Sequence, residues 1–539
     1  MSTELRIVGM TCSDCARRVA SALTAAGACD VQVDWCAGRA TVELDGVSTA
    51  DLAHALDETK YRVERVIQPS GVAGAHDEAY EYDLAIVGSG GGAFAAAIAA
   101  RGRELRVVMI ERSYVGGTCV NVGCIPSKAL LAAAESRHRA AHGRFPGITT
   151  DAGSVDMVQL VAAKDDIVGG LRQSKYIDLA DEYGFELLEG DARFIEGPAL
   201  DVDGRRIEAA HYLVATGAEP SAPDVPGLVD GAHLTSTTAM QLDELPASML
   251  VIGGGYVAME QAQLFAHLGT NVVMLVRSTL ARGEEPEVSQ AVREAFRAEG
   301  ISVHEGITAD EVRRDGDDDV VVLADGREFR AEQLLVATGR RPRTDGLGLA
   351  DVGVDIGPNG DIVVDDDLST SNPRIWAAGD VTGHPQFVYV AAKHGGLIVA
   401  NAYGDAGRRI DYSALPRITF TNPTIAAAGL TEAQALEQGL DCESRVLSFE
   451  HVPRAIVGHN TNGLVKLVAE RDSGRIVGAH IVGDGAGDVI LAASLAVQTF
   501  MTVEQLAAGW NPYLTVGEAL VLAAQSFTRD PSKLSCCAA

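Results

Sequence analysis

Three observations predict an α/β chain of four modules. Two segments, EYDLAIVGSGGGAFAAAIAARG and SMLVIGGGYVAMEQAQLFAHLG, each run from a short apolar strand through a glycine turn into a helix, and each is followed by another strand. Residues 1–68 carry strand and helix signals in the order β-α-β-β-α-β. From about Asp411 the strands LVKLVAE and RIVGAHIVG alternate with the helical run DVILAASLAVQTF, an α+β pattern. A chain of 539 residues is long enough for such a series, at roughly 100–200 residues per domain.

The small leading module opens on ELRIVG, a strand by its alternation. CARRVASALTAAG has helical spacing and stops at Gly27, DVQVD and ATVEL are strands, STADLAHALDET starts a helix from a Ser48 or Thr49 cap, and YRVERVI closes the unit. This is a ferredoxin-like split βαβ arrangement. Residues 69–80, PSGVAGAHDEAY, are rich in breakers and form a linker. The two glycine-turn segments that follow are Rossmann-like units, so one chain is expected to hold two dinucleotides.

In the first turn Gly88 permits the tight bend, Gly90 lets backbone approach a pyrophosphate, and Ala93 keeps the helix close to the sheet. Glu111 ends the next strand, where an acid binds a ribose hydroxyl. In the second turn Gly253, Gly255 and Ala258 repeat the pattern, but the following strand ends in Arg277, with Arg282 beyond it. Arginine there suits a 2′-phosphate, which favours NADPH over NADH.

The net charge of −30 disfavours nucleic acid as a partner. The start MSTELRIVGM lacks the apolar core of a secretory signal, and Leu84–Ala100, though uncharged, is better explained as a buried strand and close-packed helix than as a membrane span. A cytoplasmic protein without membrane insertion is the expectation. Six of the nine cysteines fall in three close pairs, Cys12/Cys15, Cys119/Cys124 and Cys536/Cys537, which signals redox or metal chemistry rather than a disulfide framework. Cys29, Cys36 and Cys442 are isolated and expected to be buried or partly buried, and the 13 histidines suggest no metal cluster.

GGTCVNVGCIPSK places Cys119 and Cys124 between a Gly-Gly turn and a helical run, where a helix N-terminus and Lys128 can lower a thiol pKa. This motif, with VATGAEP (214–220), VATGRRP (336–342) and IWAAGDVTG (375–383), strongly resembles the flavin disulfide oxidoreductases, a family that includes glutathione reductase, dihydrolipoamide dehydrogenase and mercuric reductase; the likeness spans roughly residues 80–525. The resemblance implies FAD and a nicotinamide as cofactors. It implies that Asp380 contacts the flavin's ribityl chain, that Lys128 pairs with Glu260 near the flavin ring, and that Tyr256 is an aromatic gate. It also places Gly117, Thr118, Thr216, Gly217 and Gly339 in cofactor-binding turns.

Within the family, disulfide reductases carry an acid–base histidine near the C-terminus with a glutamate five residues later. Here Tyr513 stands at the histidine position and Glu518 is retained. A phenol with pKa near 10 is a poor proton shuttle for a dithiol at pH 7. The chain ends LSCCAA, and thiolates select soft metals. That ending and RQSKYIDLA resemble the mercuric reductases, which implies that Tyr176 and Tyr513 lie near the metal and that Cys536 and Cys537 pass Hg(II), arriving as thiol complexes, to Cys119 and Cys124. The loop Gly9–Cys15 resembles that of heavy-metal-associated domains, with Cys12 and Cys15 as ligands for a soft cation.

The implied organisation is a heavy-metal-associated domain at 1–68, a linker at 69–80, an FAD-binding domain at 81–235 and 356–410, an NADPH-binding domain at 236–355, and a dimerisation domain with its Cys-Cys tail at 411–539. A homodimer would share each site between subunits. The implied activity is NADPH-dependent reduction of Hg(II) to Hg(0); the alternatives are a flavin disulfide reductase acting on lipoamide or glutathione disulfide, and a non-enzymatic soft-metal carrier.

Overall fold

The computed structural model describes residues 2–8, 13–34, 39–44, 52, 54–56, 59, 61–67, 79–228, 233–404, 407–530 and 533. Cys12, Cys36, Cys536, Cys537, the loop residues 9–12 and linker residues 69–78 lie outside them.

The leading module is a four-stranded sheet in the order Ala28–Asp34, Arg39–Leu44, Ser2–Val8, Arg62–Ile67. The helix Ser13–Ala25 belongs to the same unit, and Leu5, Ile7, Val19, Leu23, Val42, Leu52 and Leu56 form a shared core.

The first glycine turn sits in a five-stranded parallel sheet, ordered Ile375–Ala377, Ala209–Val214, Tyr82–Val87, Val107–Glu111, Glu186–Glu189. The strand Tyr82–Val87 is buried throughout, which accounts for its unbroken apolar run. The helix Gly91–Arg101 is mostly Gly and Ala because it crosses the helix Val388–Ala402 at backbone range. A Cβ on Gly395 would lie 2.1 Å from the Gly92 carbonyl oxygen, so nothing larger fits at that crossing.

The second glycine turn lies in a parallel sheet ordered Ser302–Glu305, Asn271–Val276, Ser248–Ile252, Gln333–Val336. The C-terminal region is a five-stranded antiparallel sheet, Pro416–Thr419, Thr424–Gly429, Ile476–Gly483, Leu464–Glu470, Cys442–Ser448, with the helices Ala486–Gln498 and Glu518–Gln525 packed on it through Ile490, Ala493, Leu520 and Ala524. No helix among the described residues is long and apolar enough to cross a membrane.

One expectation needs correction. Cys442 is buried, but Cys29 is exposed, because its strand contributes only one face to the small core. Chain folding also brings His138 and His267 together with Glu299.

Candidate active site

Cys119 lies in the short helix Gly117–Asn121, and Cys124 is the first residue of the helix Cys124–Ala141. Both line a cavity of about 850 Å³, together with the first glycine turn, Lys128, Glu260 and Asp380. The two thiols differ in proton affinity. The hydrogen bond Cys119 makes to Cys124, followed by burial, pushes the Cys119 thiol well up. The same bond, received by Cys124, and then the Lys128 charge bring Cys124 down to about 7, against burial and Glu260. One proton is therefore held on Cys119, and Cys124 carries the thiolate at the helix N-terminus.

Lys128 follows Cys124 by one helical turn and donates to Glu260 Oε2 at 2.6 Å. Glu260 is buried on the helix Tyr256–Leu268, and its other oxygen accepts the Phe420 backbone N–H at 2.9 Å. The Lys128 ammonium also lies 4.6 Å from the Phe420 ring centroid. Three separate parts of the chain thus fix the charge next to the thiolate. Tyr256 begins its helix and faces the same cavity. Tyr176 sits in a π-helical turn, Gln173–Ile177, with its ring edge-on to Phe94 at 4.8 Å. Burial, then the charges of Cys119 and Cys124, push its hydroxyl up, so it stays a neutral phenol beside the thiol pair.

The cavity fits a flavin dinucleotide. Gly90 caps the helix Gly91–Arg101, and a Cβ there would meet nothing within 4 Å, so its open face is where backbone N–H groups would meet a pyrophosphate. Ser89, fully buried, donates to Glu111 Oε2 at 2.5 Å and accepts from the Gly116 N–H at 3.1 Å, tying the turn to the strand end and to the thiol loop. Glu111, Thr118, Thr216, Gly217 and Asp380 all line this cavity. Burial raises the Asp380 carboxyl, with the Arg340 charge opposing, which leaves an acceptor poised for a hydroxyl donor. Gly117 holds φ of +64°, and a Cβ there would lie 2.6 Å from the Gly90 Cα. Gly117→Ala is therefore expected to push the thiol loop off the pyrophosphate turn. The check is purified flavin content, which should fall below about half of wild type while the chain stays folded.

The glycines of the second turn lie outside this cavity. Gly255 caps the helix Tyr256–Leu268 with nothing near a would-be Cβ, as Gly90 does in its own turn. Arg277 and Arg282 are exposed and have no ion-pair partner among the described residues. Gly339, at φ +146°, belongs to the crossover just before the strand Arg340–Pro342 rather than to either turn. Ala93 and Ala258 are both fully buried under their helices.

Tyr513 does not line the cavity of its own chain and is 47% exposed. The next residue, Leu514, takes φ of +61°, a left-handed conformation costly for a leucine. Glu518 is buried with its carboxyl raised by burial, and its Oε2 has no hydrogen-bond partner among the described residues. Cys15 is buried in the core of the small module. Sequence reading missed Ser89, Arg340, Phe420 and His394, whose Nδ1 accepts the Gly379 N–H at 3.1 Å. Ser89, the polar residue inside the glycine turn, and Arg340, inside VATGRRP, carried a visible signal; Phe420 and His394 did not.

The comparisons agree with this geometry. The family model for pyridine nucleotide-disulphide oxidoreductases matches residues 82–395, its dimerisation domain matches 415–524, and the heavy-metal-associated domain matches 4–62. A mercuric reductase of Streptomyces lividans is 57% identical over 466 residues, covering 85% of this chain and 98% of its own. One of Staphylococcus aureus is 45% identical over 542 residues, covering 100% and 99%. Among solved structures, the HOCl-induced flavoprotein disulfide reductase RclA from Escherichia coli aligns with a TM-score of 0.76 at 27% identity, over 83% of this chain and all of that one. LpdA from Mycobacterium tuberculosis aligns at 0.74 and 26% identity, again over 83% and all of it. The chain belongs to the pyridine nucleotide-disulphide oxidoreductases and, within them, to the mercuric reductases.

Proposed function

We propose that this chain reduces Hg(II) to Hg(0) with electrons from NADPH, at the pair Cys119 and Cys124. The observation that carries the reading is the pair Cys119 and Cys124 in the cavity beside the Lys128–Glu260 pair, in a chain 57% identical to a mercuric reductase and with Tyr513 where disulfide reductases carry a proton-shuttling histidine. Hg(II) favours two near-linear thiolate ligands, and this pair supplies them. FAD, held in the cavity, supplies two-electron transfer from the nicotinamide to the thiol side.

The residues divide the work. Gly88, Gly90 and Glu111 would hold the flavin's dinucleotide end, and the Asp380 carboxyl would accept from its ribityl hydroxyls. Lys128, fixed by Glu260, holds positive charge beside Cys124. Cys119 gives up its proton as the metal binds, and Tyr176 orients the bound metal as a neutral phenol. For a bis-thiolate complex the balance is Hg(SR)₂ + NADPH + H⁺ → Hg(0) + NADP⁺ + 2 RSH. Zero-valent mercury has no charge to hold it on thiolates and leaves.

Gly253 and Gly255 would bind the nicotinamide dinucleotide, with Arg277 and Arg282 on the 2′-phosphate and Tyr256 covering the nicotinamide's approach. Charge-assisted bonds of about 1.5–3 kcal/mol each predict that R277A/R282A raises KM for NADPH roughly 10²–10⁴-fold and leaves KM for NADH unchanged. An equal rise for both cofactors would count against the assignment.

The reading includes a homodimer in which the C-terminal region brings Tyr513, Cys536 and Cys537 to the partner's thiol pair. Leu491, Leu495, Phe500, Trp510 and Leu514 support it as large apolar residues exposed on that region. Cys12 and Cys15 would scavenge Hg(II) for the tail, in a cytoplasm that supplies NADPH and reduced thiols. The experiment follows NADPH oxidation by the holoenzyme in excess thiol with Hg(II), lipoamide or glutathione disulfide. Stimulation by Hg(II) alone is expected; stimulation only by a disulfide would replace this reading with that of a disulfide reductase.

A further inference from the structure

Behind the turn that carries Asp380 runs a line of hydrogen bonds joining the turn, a helix and the start of the C-terminal region. The turn is Gly379–Thr382, and both Gly379 and Asp380 line the flavin cavity. Gly379 is buried at φ +76°, and a Cβ on it would lie 3.0 Å from the Ala391 Cβ, so the turn rests directly on the helix Val388–Ala402. Its N–H donates to Nδ1 of His394, on that helix, at 3.1 Å. His394 is fully buried. Its Nε2 is 2.6 Å from the Tyr412 hydroxyl, and that hydroxyl is 2.8 Å from His384 Nδ1.

One backbone group sets the direction of every bond in the line. An N–H can only donate, so His394 Nδ1 must be bare. Burial, then the charge of His384, brings the His394 pKa down to about 4, so the ring is neutral near pH 7 and its one proton sits on Nε2. That proton points at the Tyr412 oxygen. The Tyr412 phenol, pushed up to about 12 by burial, keeps its own hydrogen and gives it to His384 Nδ1. The opposite tautomer of His394 would set N–H against N–H at Gly379. An apolar side chain at 394 would fill the same space, but it would leave a buried N–H without an acceptor at the residue before Asp380.

We propose that His394 and Tyr412 are positioning residues for the flavin: the Nε2–H tautomer of His394, fixed by Tyr412, holds the Gly379 N–H and so aims the Asp380 carboxyl at the ribityl hydroxyls. The inference rests on FAD occupying this cavity and is independent of what the thiol pair reduces. Without the acceptor, the Gly379 N–H must turn toward the cavity to find water, carrying Asp380 with it. Flavin binding then has to restore the turn, so the loss appears in how tightly FAD is held.

Two amides separate the bond from the packing. In H394N the amide oxygen stands where Nδ1 stood and accepts the Gly379 N–H. In H394Q the longer side chain carries its amide to the Nε2 position, near Tyr412, and leaves the Nδ1 position without an acceptor. Full-length holoenzyme is diluted, and FAD release is followed by the fluorescence that free flavin regains. H394N is expected to release FAD within about threefold of the wild-type rate, and H394Q about 10–100-fold faster than wild type. Y412F is expected to speed release about 3–10-fold in wild type and to add nothing in H394N, whose amide no longer reaches Tyr412. Equal release from H394N and H394Q, or a larger loss in H394N, would overturn the inference, as would a Y412F effect that persists in H394N. Y412F is the mildest change and carries the test if a histidine variant does not fold: an unchanged release rate in it would overturn the inference as well. Wild type purified without FAD would instead remove the cofactor reading beneath it.

Discussion

Replacing Cys124 with serine is expected to lower kcat/KM for Hg(II)-dependent NADPH oxidation by at least about 10³-fold while flavin content is unchanged. Serine keeps the volume of the side chain but not its softness, and its hydroxyl stays protonated at every accessible pH. The size of the loss follows from the thiolate's two causes, the hydrogen bond from Cys119 and then the charge of Lys128. The pH dependence has a definite sign. A thiol brought down to about 7 is mostly thiolate above that value and mostly protonated below it. Alkylation of the reduced enzyme by iodoacetamide should therefore fall about tenfold per pH unit below 7 and level off above it. C119A removes the larger cause, so the midpoint for Cys124 should move up toward the ordinary thiol range. A midpoint that does not move would mean that Lys128 and the helix N-terminus alone hold the thiolate.

The largest effect on stability is expected at Lys466. Its side chain is 3% exposed in the C-terminal sheet, and its ammonium lies 3.0 Å from Glu285, Glu287 and Glu432. Glu285 and Glu287 come from the region of the second glycine turn, so one lysine joins two parts of the chain. The cluster's carboxylates hold the lysine in its charged form, well above its ordinary range despite burial. K466M leaves Glu285, itself 2% exposed, as an uncompensated buried charge, a change that costs about 3–5 kcal/mol. Tm should fall by roughly 10 °C. Adding E285Q should recover part of that loss, since the penalty lies in the stranded charge more than in the lost pair. The Lys466 hydrogen bond, its first cause, holds the Glu432 carboxyl below its ordinary range. A carboxyl depressed in the fold contributes stability above its unfolded pKa and loses it as pH falls through the folded value, so this contribution disappears on acidification and K466M should flatten the acid limb of the stability curve.

Sequence made legible what depends on neighbours along the chain. Gly88, Gly90 and Gly117 stand where backbone must bend or approach a ligand, and Cys119 and Cys124 stand on one loop, so local sterics write these features into consecutive residues. The same holds for the uncharged stretch from Leu84 to Ala100, a buried strand followed by a helix that crosses its neighbour at backbone range. Contacts between distant segments left no such trace. Nothing near Glu260 foretells that the Phe420 N–H, 160 residues on, holds its second oxygen. Lys466 sits in a strand whose pattern calls only for apolar residues, and its three acids lie on other elements. His138, His267 and Glu299 meet only once three helix ends have been packed together. The left-handed Leu514 is equally silent in sequence, since nothing about leucine asks for that conformation. The pairing of Lys128 with Glu260 was expected through resemblance to the family rather than from spacing.

Elemental mercury released per NADPH consumed is the most direct measurement of the claim that this site reduces a metal. Purified holoenzyme in excess thiol is supplied with Hg(II) under a gas stream, with volatilised mercury and NADPH absorbance followed together. The expected result is one Hg(0) per NADPH, with both signals abolished in C124S. NADPH oxidation without volatile mercury, its electrons passing to oxygen or a disulfide, would contradict it.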